Sequence, residues 1–197
     1  MIARKSIKLL PVNPGESAGN FPVDKAMFAR KSQRNFLPIP LTGEEISKLL
    51  WSSCGKSAHG KVVPSAGAIY PLTIYIAKED GIFKYISESH EIQQAAEGDK
   101  RDELSAQALN QSCIRDASAI IIISCNFKKI CSRYGERGIR YAYLEAGHAA
   151  QNVCLMSSAL NLGSVCVGAF NDPGIESICN VSKIEKVIYM VAVGRCE

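Results

Sequence analysis

Residues 117–125 read ASAIIIISC, and the fold turns on where this run is placed. It carries no charge and holds four consecutive isoleucines. A half-wet strand alternates apolar and polar residues, whereas a continuous β-branched run suits a strand buried on both faces. The run therefore predicts a central strand. Downstream, residues 139–160 contain no proline and line one side with Ala142, Ala146, Gly147, Ala149 and Ala150. This predicts a long helix that packs closely, in the core or at a subunit interface, and ends at Asn161 and Gly163. Residues 164–170 then read as extended, Asn171-Asp172-Pro173 opens a short helix, and 186–193 form a last strand.

Upstream, residues 72–78 alternate, Glu79-Asp80-Gly81 makes a turn, and 82–86 return, which predicts a hairpin. Residues 91–110 are polar and helical in character. Thr42-Gly-Glu-Glu45 has the form of a capping box. Ile46, Leu49, Leu50 and Cys54 follow on one helical face, and Gly55 ends that helix. A short helix is expected around 25–31. There is no regular strand–helix–strand alternation and no repeat. The expected class is α+β, with helices flanking a mostly antiparallel central sheet. Residues 1–24, with Pro11, Pro14, Gly15, Gly19 and Pro22, read as an N-terminal arm, and 25–197 as a single domain.

The chain has 197 residues, 47% hydrophobic and 21% charged, which excludes disorder as its main state. Its longest clean aliphatic run, residues 119–123, is far short of the ~20 apolar residues of a membrane helix. The opening apolar stretch is too short for a signal peptide, so a cytoplasmic location is expected and no membrane partner. Eight cysteines show no CxxC and no zinc-finger spacing, so no metal site is expected. Several fall in apolar runs and read as buried thiols. Residues 1–34 hold seven basic and two acidic residues, a net +5 of the chain's +4. The tight part, Arg30 to Arg34, suits a phosphate-bearing small ligand better than a nucleic-acid track, which needs several spaced contacts. On charge alone a solvated N-terminal segment is the simpler reading.

Four stretches could carry chemistry. In ARKSQRNF (29–36), Arg30, Ser32 and Arg34 alternate, and an extended backbone sends them to one side, two forked cations and a hydroxyl for a phosphate. In VPSAGAIYP (63–71), Pro64, Ser65, Ala66 and Gly67 form a small-residue loop that a planar ligand can approach, or merely a tight connection. In LGSVCVGAFND (162–172), Val167, Gly168 and Ala169 again expose backbone. Arg195 closes VAVGR directly after a strand. No Rossmann or P-loop glycine motif is present.

Together these pieces resemble the FMN-dependent nitroreductase superfamily. The order RxSxR, PSAGAxYP, EAGHAAQN (145–152), LGxxxVGAF and VxVGR matches over roughly residues 25–196. PSAGAIYPL and RYAYLEAGHAAQN are most similar to its SagB-type dehydrogenase branch, which includes oxidases that convert azolines to azoles in peptides. The resemblance implies a homodimer with FMN at the interface. Arg30, Ser32, Arg34 and Arg195 would hold the phosphate and ribityl chain. Pro64, Ser65, Ala66 and Gly67 would line the flavin from the other subunit. Asn110 and Gln111 would meet the polar edge of the ring, and Val167, Gly168 and Ala169 would turn backbone toward its hydride-accepting nitrogen. Ala68 stands where general nitroreductases carry Asn, as in the SagB-type branch. The azoline oxidases have a Lys-Tyr pair where this chain has Arg133-Tyr134. Arginine is a poor base, and Tyr134 remains the candidate catalytic proton donor.

The implied activity passes electrons from NAD(P)H to an organic acceptor such as a nitroaromatic, quinone or flavin. The alternatives are oxidation of an azoline or other small-molecule or peptide substrate, and flavin binding without turnover. No nucleic-acid partner is expected. His148 is expected as a hydrogen-bonded core or interface residue paired with Glu145, and His59 and His90 as solvated. Trp51 lies off the apolar face of its helix and is expected against the arm or a partner.

Overall fold

A computed structural model describes residues 5–13 and 21–197. Parts of the expected arm, with Pro14, Gly15 and Gly19, lie outside the described residues. In chain order the elements are β1 (Ser6–Lys8), α1 (Val23–Ala29), α2 (Gly43–Cys54), β2 (Lys56–Ser57), β3 (Gly60–Lys61), β4 (Leu72–Lys78), β5 (Gly81–Ile86) and β6 (Glu91–Glu97). They continue with α3 (Arg101–Gln107), α4 (Ser112–Arg115), β7 (Ala119–Cys125), α5 (Phe127–Tyr134), α6 (Arg137–Ala159), β8 (Gly163–Val167), α7 (Asp172–Ile178) and β9 (Lys186–Gly194).

Among the described residues seven strands form one sheet in the order β1-β6-β5-β4-β7-β9-β8, and β2 and β3 form a separate small hairpin. Each ladder of the large sheet is antiparallel. Beyond β8 a single parallel bridge joins Ser32 to Ser164. The isoleucine run is the strand β7, flanked by β4 and β9, and all four isoleucines are buried completely. Ile121 and Ile123 face a layer made by α2 and α6, with Leu49, Leu50, Ala149 and Val153. Ile120 and Ile122 face the opposite layer, with Leu104, Ile114 and Ile175 from α3, α4 and α7. Burying each such side chain contributes about 1.5–3 kcal/mol, so this strand anchors both layers. The fold is the expected α+β arrangement, a mostly antiparallel sheet flanked by helices.

The capping box forms: the Thr42 hydroxyl accepts from the Glu45 N–H, and Glu45 Oε2 accepts from the Thr42 N–H at 2.8 Å. Two readings need correction. Residues 91–97 are strand β6, and helix begins only at Arg101. β6 lies one place from the sheet edge, so only Ile92 is fully buried, and Glu91, Gln93 and Gln94, which suggested helix, are half-buried. Helix α5 went unread although its residues are amphipathic; it is started by Asn126, whose side chain accepts the Lys129 N–H at 3.2 Å. Part of the arm joins the sheet as β1, pairing with β6 through Ser6, Ile7 and Lys8. No helix among the described residues is long and apolar enough to cross a membrane.

Candidate functional site

The edge strand β8 organises the site. Gly163 pairs with Gly194 at one end and Val167 with Met190 toward the other. Arg195 therefore stands at the start of β8, and Gly168 and Ala169 at its far end. A strand rises about 3.4 Å per residue, so the two ends are roughly 17 Å apart.

The segment after α1 runs past the first end. The Gln33 N–H donates to the Ser164 carbonyl at 3.0 Å, and the Leu37 N–H to the Arg195 carbonyl at 2.8 Å. Glycine makes this approach possible. A Cβ on Gly163 would stand 2.8 Å from Cβ of Gln33, and one on Gly194 2.9 Å from the Phe36 ring. Arg195 Nη2 donates to Glu45 Oε2 at 3.1 Å and lies 2.9 Å from Oε1 in the same ion pair, so the start of α2 fixes the guanidinium. Ser32 is exposed beside Ser164. The charge of Arg30 bears on Cys154 and Cys166 on the α6 side. The charge of Arg34 bears on Cys113 of α4, in the other layer, whose thiol burial raises above its ordinary value.

At the far end, Gly168 and Ala169 are exposed. A Cβ on Gly168 would meet only the Tyr189 ring, at 3.7 Å. The Gln111 side-chain amide donates to the Ala108 carbonyl at 2.9 Å and to the Ala169 carbonyl at 3.3 Å. Asn110, exposed and at φ 57°, sits beside it in a left-handed turn with Leu109 at φ 59°. Sequence reasoning placed these two segments at one site, and the structure joins them.

The third group lies at the same end of the sheet but on β4. The loop before β4 carries Pro64, exposed, and Gly67, Ala68 and Tyr70 at φ 59°, 53° and 50°. Residues 66–68 make a short 3-10 turn. Arg133 Nη1 donates to the Gly67 carbonyl at 3.4 Å, and its guanidinium lies 5.5 Å from the Tyr134 ring. A Cβ on Gly67 would stand 2.6 Å from the Tyr134 hydroxyl and 2.8 Å from that Nη1. Tyr134 stacks edge-on against Tyr141 at 5.1 Å.

One residue of this group was read in the sequence only as a partner of His148. Glu145 is 3% exposed, and its Oε2 accepts the Ser65 hydroxyl at 2.6 Å. Ser65 Oγ in turn accepts the Tyr70 N–H at 2.8 Å. Burial raises the Glu145 carboxyl above the usual carboxylate range, while the Ser65 bond pulls the other way. The expected pairing with His148 is thereby corrected: Glu145 faces the loop and His148 is exposed. A signal existed, because Glu145 falls in the Ala142–Ala146–Ala149 stripe that the helix buries. His90 also departs from expectation. It is half-buried and bonded to Ser47, Tyr85 and the Leu10 carbonyl, and burial lowers its pKa. Trp51 is half-buried and donates its indole N–H to the Lys56 carbonyl at 2.8 Å.

The nitroreductase family model matches residues 27–195. The chain belongs to the nitroreductase family. It is accordingly an oxidoreductase of flavoprotein type. A protein named as a nitroreductase in Methanocaldococcus jannaschii is 39% identical over 181 residues, covering 88% of this chain and 90% of that one. A structure named as a nitroreductase from Anabaena variabilis superposes with a TM-score of 0.85 at 27% identity, covering 98% of this chain and 42% of that one. The E. coli microcin synthetase McbBCD complex, solved with truncated pro-MccB17 bound, shares the fold at a TM-score of 0.74 and 20% identity, over 96% of this chain and 79% of that one.

Proposed function

We propose that this nitroreductase-family chain binds FMN along β8 and passes electrons from NAD(P)H to an organic acceptor such as a nitroaromatic, a quinone or another flavin. The observation that carries this reading is the polarity of the edge strand. One end holds the Arg195 guanidinium, with Ser32 bridging the strand at Ser164 and Arg30 two residues before Ser32 in the chain, a set suited to a phosphate. The other end offers exposed, small-residued backbone at Gly168 and Ala169 with the neutral amide of Gln111 beside it. Such a donor set fits FMN, with an anionic head and a planar, neutral-edged tail.

When bound, FMN supplies the two-electron chemistry. The chain's own residues bind and orient it. Arg195, held by Glu45, presents charge to the phosphate with little reorganisation. Val167, Gly168 and Ala169 bring backbone close to the ring because no bulky side chain intervenes, and preorganised neutral donors favour charge that develops there. Asn110 and Gln111 address the ring's polar edge. Tyr134 supplies a proton to an acceptor that needs one. Pro64, Ser65, Ala66 and Gly67 come to the ring from a second copy, so the working unit is a homodimer. Val23, Met27 and Phe28 of α1 and Tyr143 and Leu144 of α6 leave exposed apolar surface that a second copy would cover, with Phe28 95% exposed.

A second reading is SagB-type oxidation of a peptide azoline. It is favoured by the placement of Tyr134 against the PSAGA loop and by the sequence motifs of that branch. Arg133 ranks it second, because a guanidinium does not serve as a base.

The test is a visible spectrum of the purified chain, followed by side-by-side assays on a quinone with NAD(P)H and on an azoline peptide. A flavin spectrum at one FMN per chain with quinone turnover is expected. A protein that neither retains nor binds FMN would overturn the reading. Efficient azole formation would reverse the ranking, and tight FMN without any turnover would favour a flavin carrier.

A further inference from the structure

Two cysteines meet beside the edge strand. Cys154 on α6 and Cys166 on β8 bring their Sγ atoms to 3.6 Å, as free thiols. Among the described residues this is the one thiol–thiol hydrogen bond. Cys154 is 5% exposed and Cys166 is half-buried, so only the second is open to a small reagent.

The surroundings treat the two sulfurs differently. Either sulfur can donate in the contact between the two thiols, and the neighbouring Tyr189 hydroxyl of β9 and the charge of Arg30 favour negative charge on Cys166. These interactions favour its thiolate and hold the thiol below its ordinary pKa, against the burial that raises it. Cys154 is pushed up by that same hydrogen bond and by burial. Tyr189 is likewise raised, first by burial and then by its bond to Cys166, so it stays a donor. One thiol is poised to attack and its neighbour is within reach to resolve the product.

We propose that Cys154 and Cys166 form a redox-active dithiol that takes a hydroperoxide as oxidant and closes to a disulfide between α6 and β8. The Cys166 thiolate attacks the O–O bond. An S–O bond forms, the O–O bond breaks, and the leaving hydroxide takes up a proton to become water. The Cys154 sulfur then attacks the sulfenic acid, the S–S bond forms, and the sulfenic hydroxyl leaves with the Cys154 proton as a second water. Two thiols are oxidised by two electrons, and one hydrogen peroxide is reduced to two waters. The proposal rests on no step of the flavin chemistry, and its failure would leave that reading untouched.

The test uses the full chain, reduced and freed of reductant, with equimolar hydrogen peroxide. The expected product is a peptide joining Cys154 to Cys166 in a non-reducing digest, two hydrogens lighter than its parts and restored by a thiol reductant. Cys154→Ser should accumulate a sulfenic acid at Cys166 that a 1,3-dicarbonyl reagent traps. Cys166→Ser should slow oxidation of Cys154 at least about tenfold, since a buried thiol without thiolate character is unreactive. The proposal is overturned if peroxide is consumed first at other cysteines, if the pattern matches that of the chain unfolded in urea, or if both variants react like wild type. Should the serine variants not fold, the wild-type cross-link map decides alone.

Discussion

Removing the Glu145 carboxylate tests whether a buried acid holds the PSAGA loop in shape. Ser65 Oγ sits between Glu145 Oε2 at 2.6 Å and the Tyr70 N–H at 2.8 Å, so one side chain of α6 governs both ends of the loop. The loop needs governing, because Ala68 and Tyr70 have φ of 53° and 50°. A left-handed non-glycine residue costs roughly 1–2 kcal/mol. A hydrogen bond to a charged group contributes about 1.5–3 kcal/mol, and a buried partner left unpaired costs a similar amount. Clamp and strain are therefore of one size, and Glu145→Ala should lower unfolding free energy by about 2–3 kcal/mol and free the loop. Ser65→Ala should do nearly the same, and the double variant should cost little more than either alone.

Glu145→Gln separates geometry from charge. Its amide oxygen can still accept from Ser65, while the desolvated carboxylate is gone. The folded-state pKa of Glu145 is raised by burial, so the native state binds this proton more tightly than the unfolded chain. The stability this contributes is present below the unfolded value, about 4.3 for Glu, and is lost as pH rises through the raised folded value. The Gln variant should therefore gain on wild type at about pH 8 and lose that gain as the pH falls toward 5. Urea titrations at both pH values, with hydrogen exchange at the Tyr70 amide, measure this. Wild-type stability and undiminished Tyr70 protection in Glu145→Ala would refute the clamp.

Further outcomes follow from the same geometry. Arg195→Ala should weaken FMN by roughly 10- to 100-fold, the worth of a charge-assisted bond, and riboflavin far less; equal losses in parallel titrations would sink the phosphate assignment. Gly67→Ala should cost about 1 kcal/mol, because alanine resists a φ of 59°. It should also displace the Tyr134 and Arg133 side-chain ends, which calorimetry and the Tyr134 ring resonances would show. Arg133→Lys should leave quinone reduction within a few-fold and raise any azoline oxidation; a large loss of quinone turnover would mean that Arg133 touches substrate.

Much of the fold was legible because burial on both faces leaves a plain mark. Residues 117–125 could only be a central strand, and the alanine stripe of α6 foretold its close packing. Thr42 and Glu45 declared a helix start through side-chain chemistry alone. β6 was illegible for the complementary reason: near an edge, with Ile92 its one fully buried residue, it has no apolar period to read. Helix α5 announced itself locally, through the Asn126 cap and its amphipathic residues, but it is short and went unread, and its packing on α6 is a tertiary fact. In the site, glycine-rich and arginine-bearing segments were visible because their residue types are costly elsewhere. The pairing of Glu145 with Ser65 spans 80 residues and depends on the helix facing the loop. No local pattern encodes such a meeting, although a carboxylate within an alanine stripe marks where to look.

The two halves of the proposed flavin site stand too far apart to serve one ring within a single chain. Gly168 follows β8, the loop of Gly67 precedes β4, and β9 and β7 lie between them. Three strand spacings of about 4.8 Å place them roughly 14 Å apart across the sheet. If both line one flavin, the loop must come from a second copy, and this has a consequence that a site within one chain cannot reproduce. Take Arg195→Glu, which spoils the phosphate end, and Gly67→Trp, which fills the loop's approach. Each homodimer should be inactive. In a dimer of one copy of each, composite sites collect both lesions in one pocket and leave the other intact. Random mixing makes about half the dimers mixed, each with one good site of two, so about a quarter of wild-type activity should return on co-expression. If each site belonged to one chain, every pocket in the mixed dimer would carry a lesion, and no activity would return.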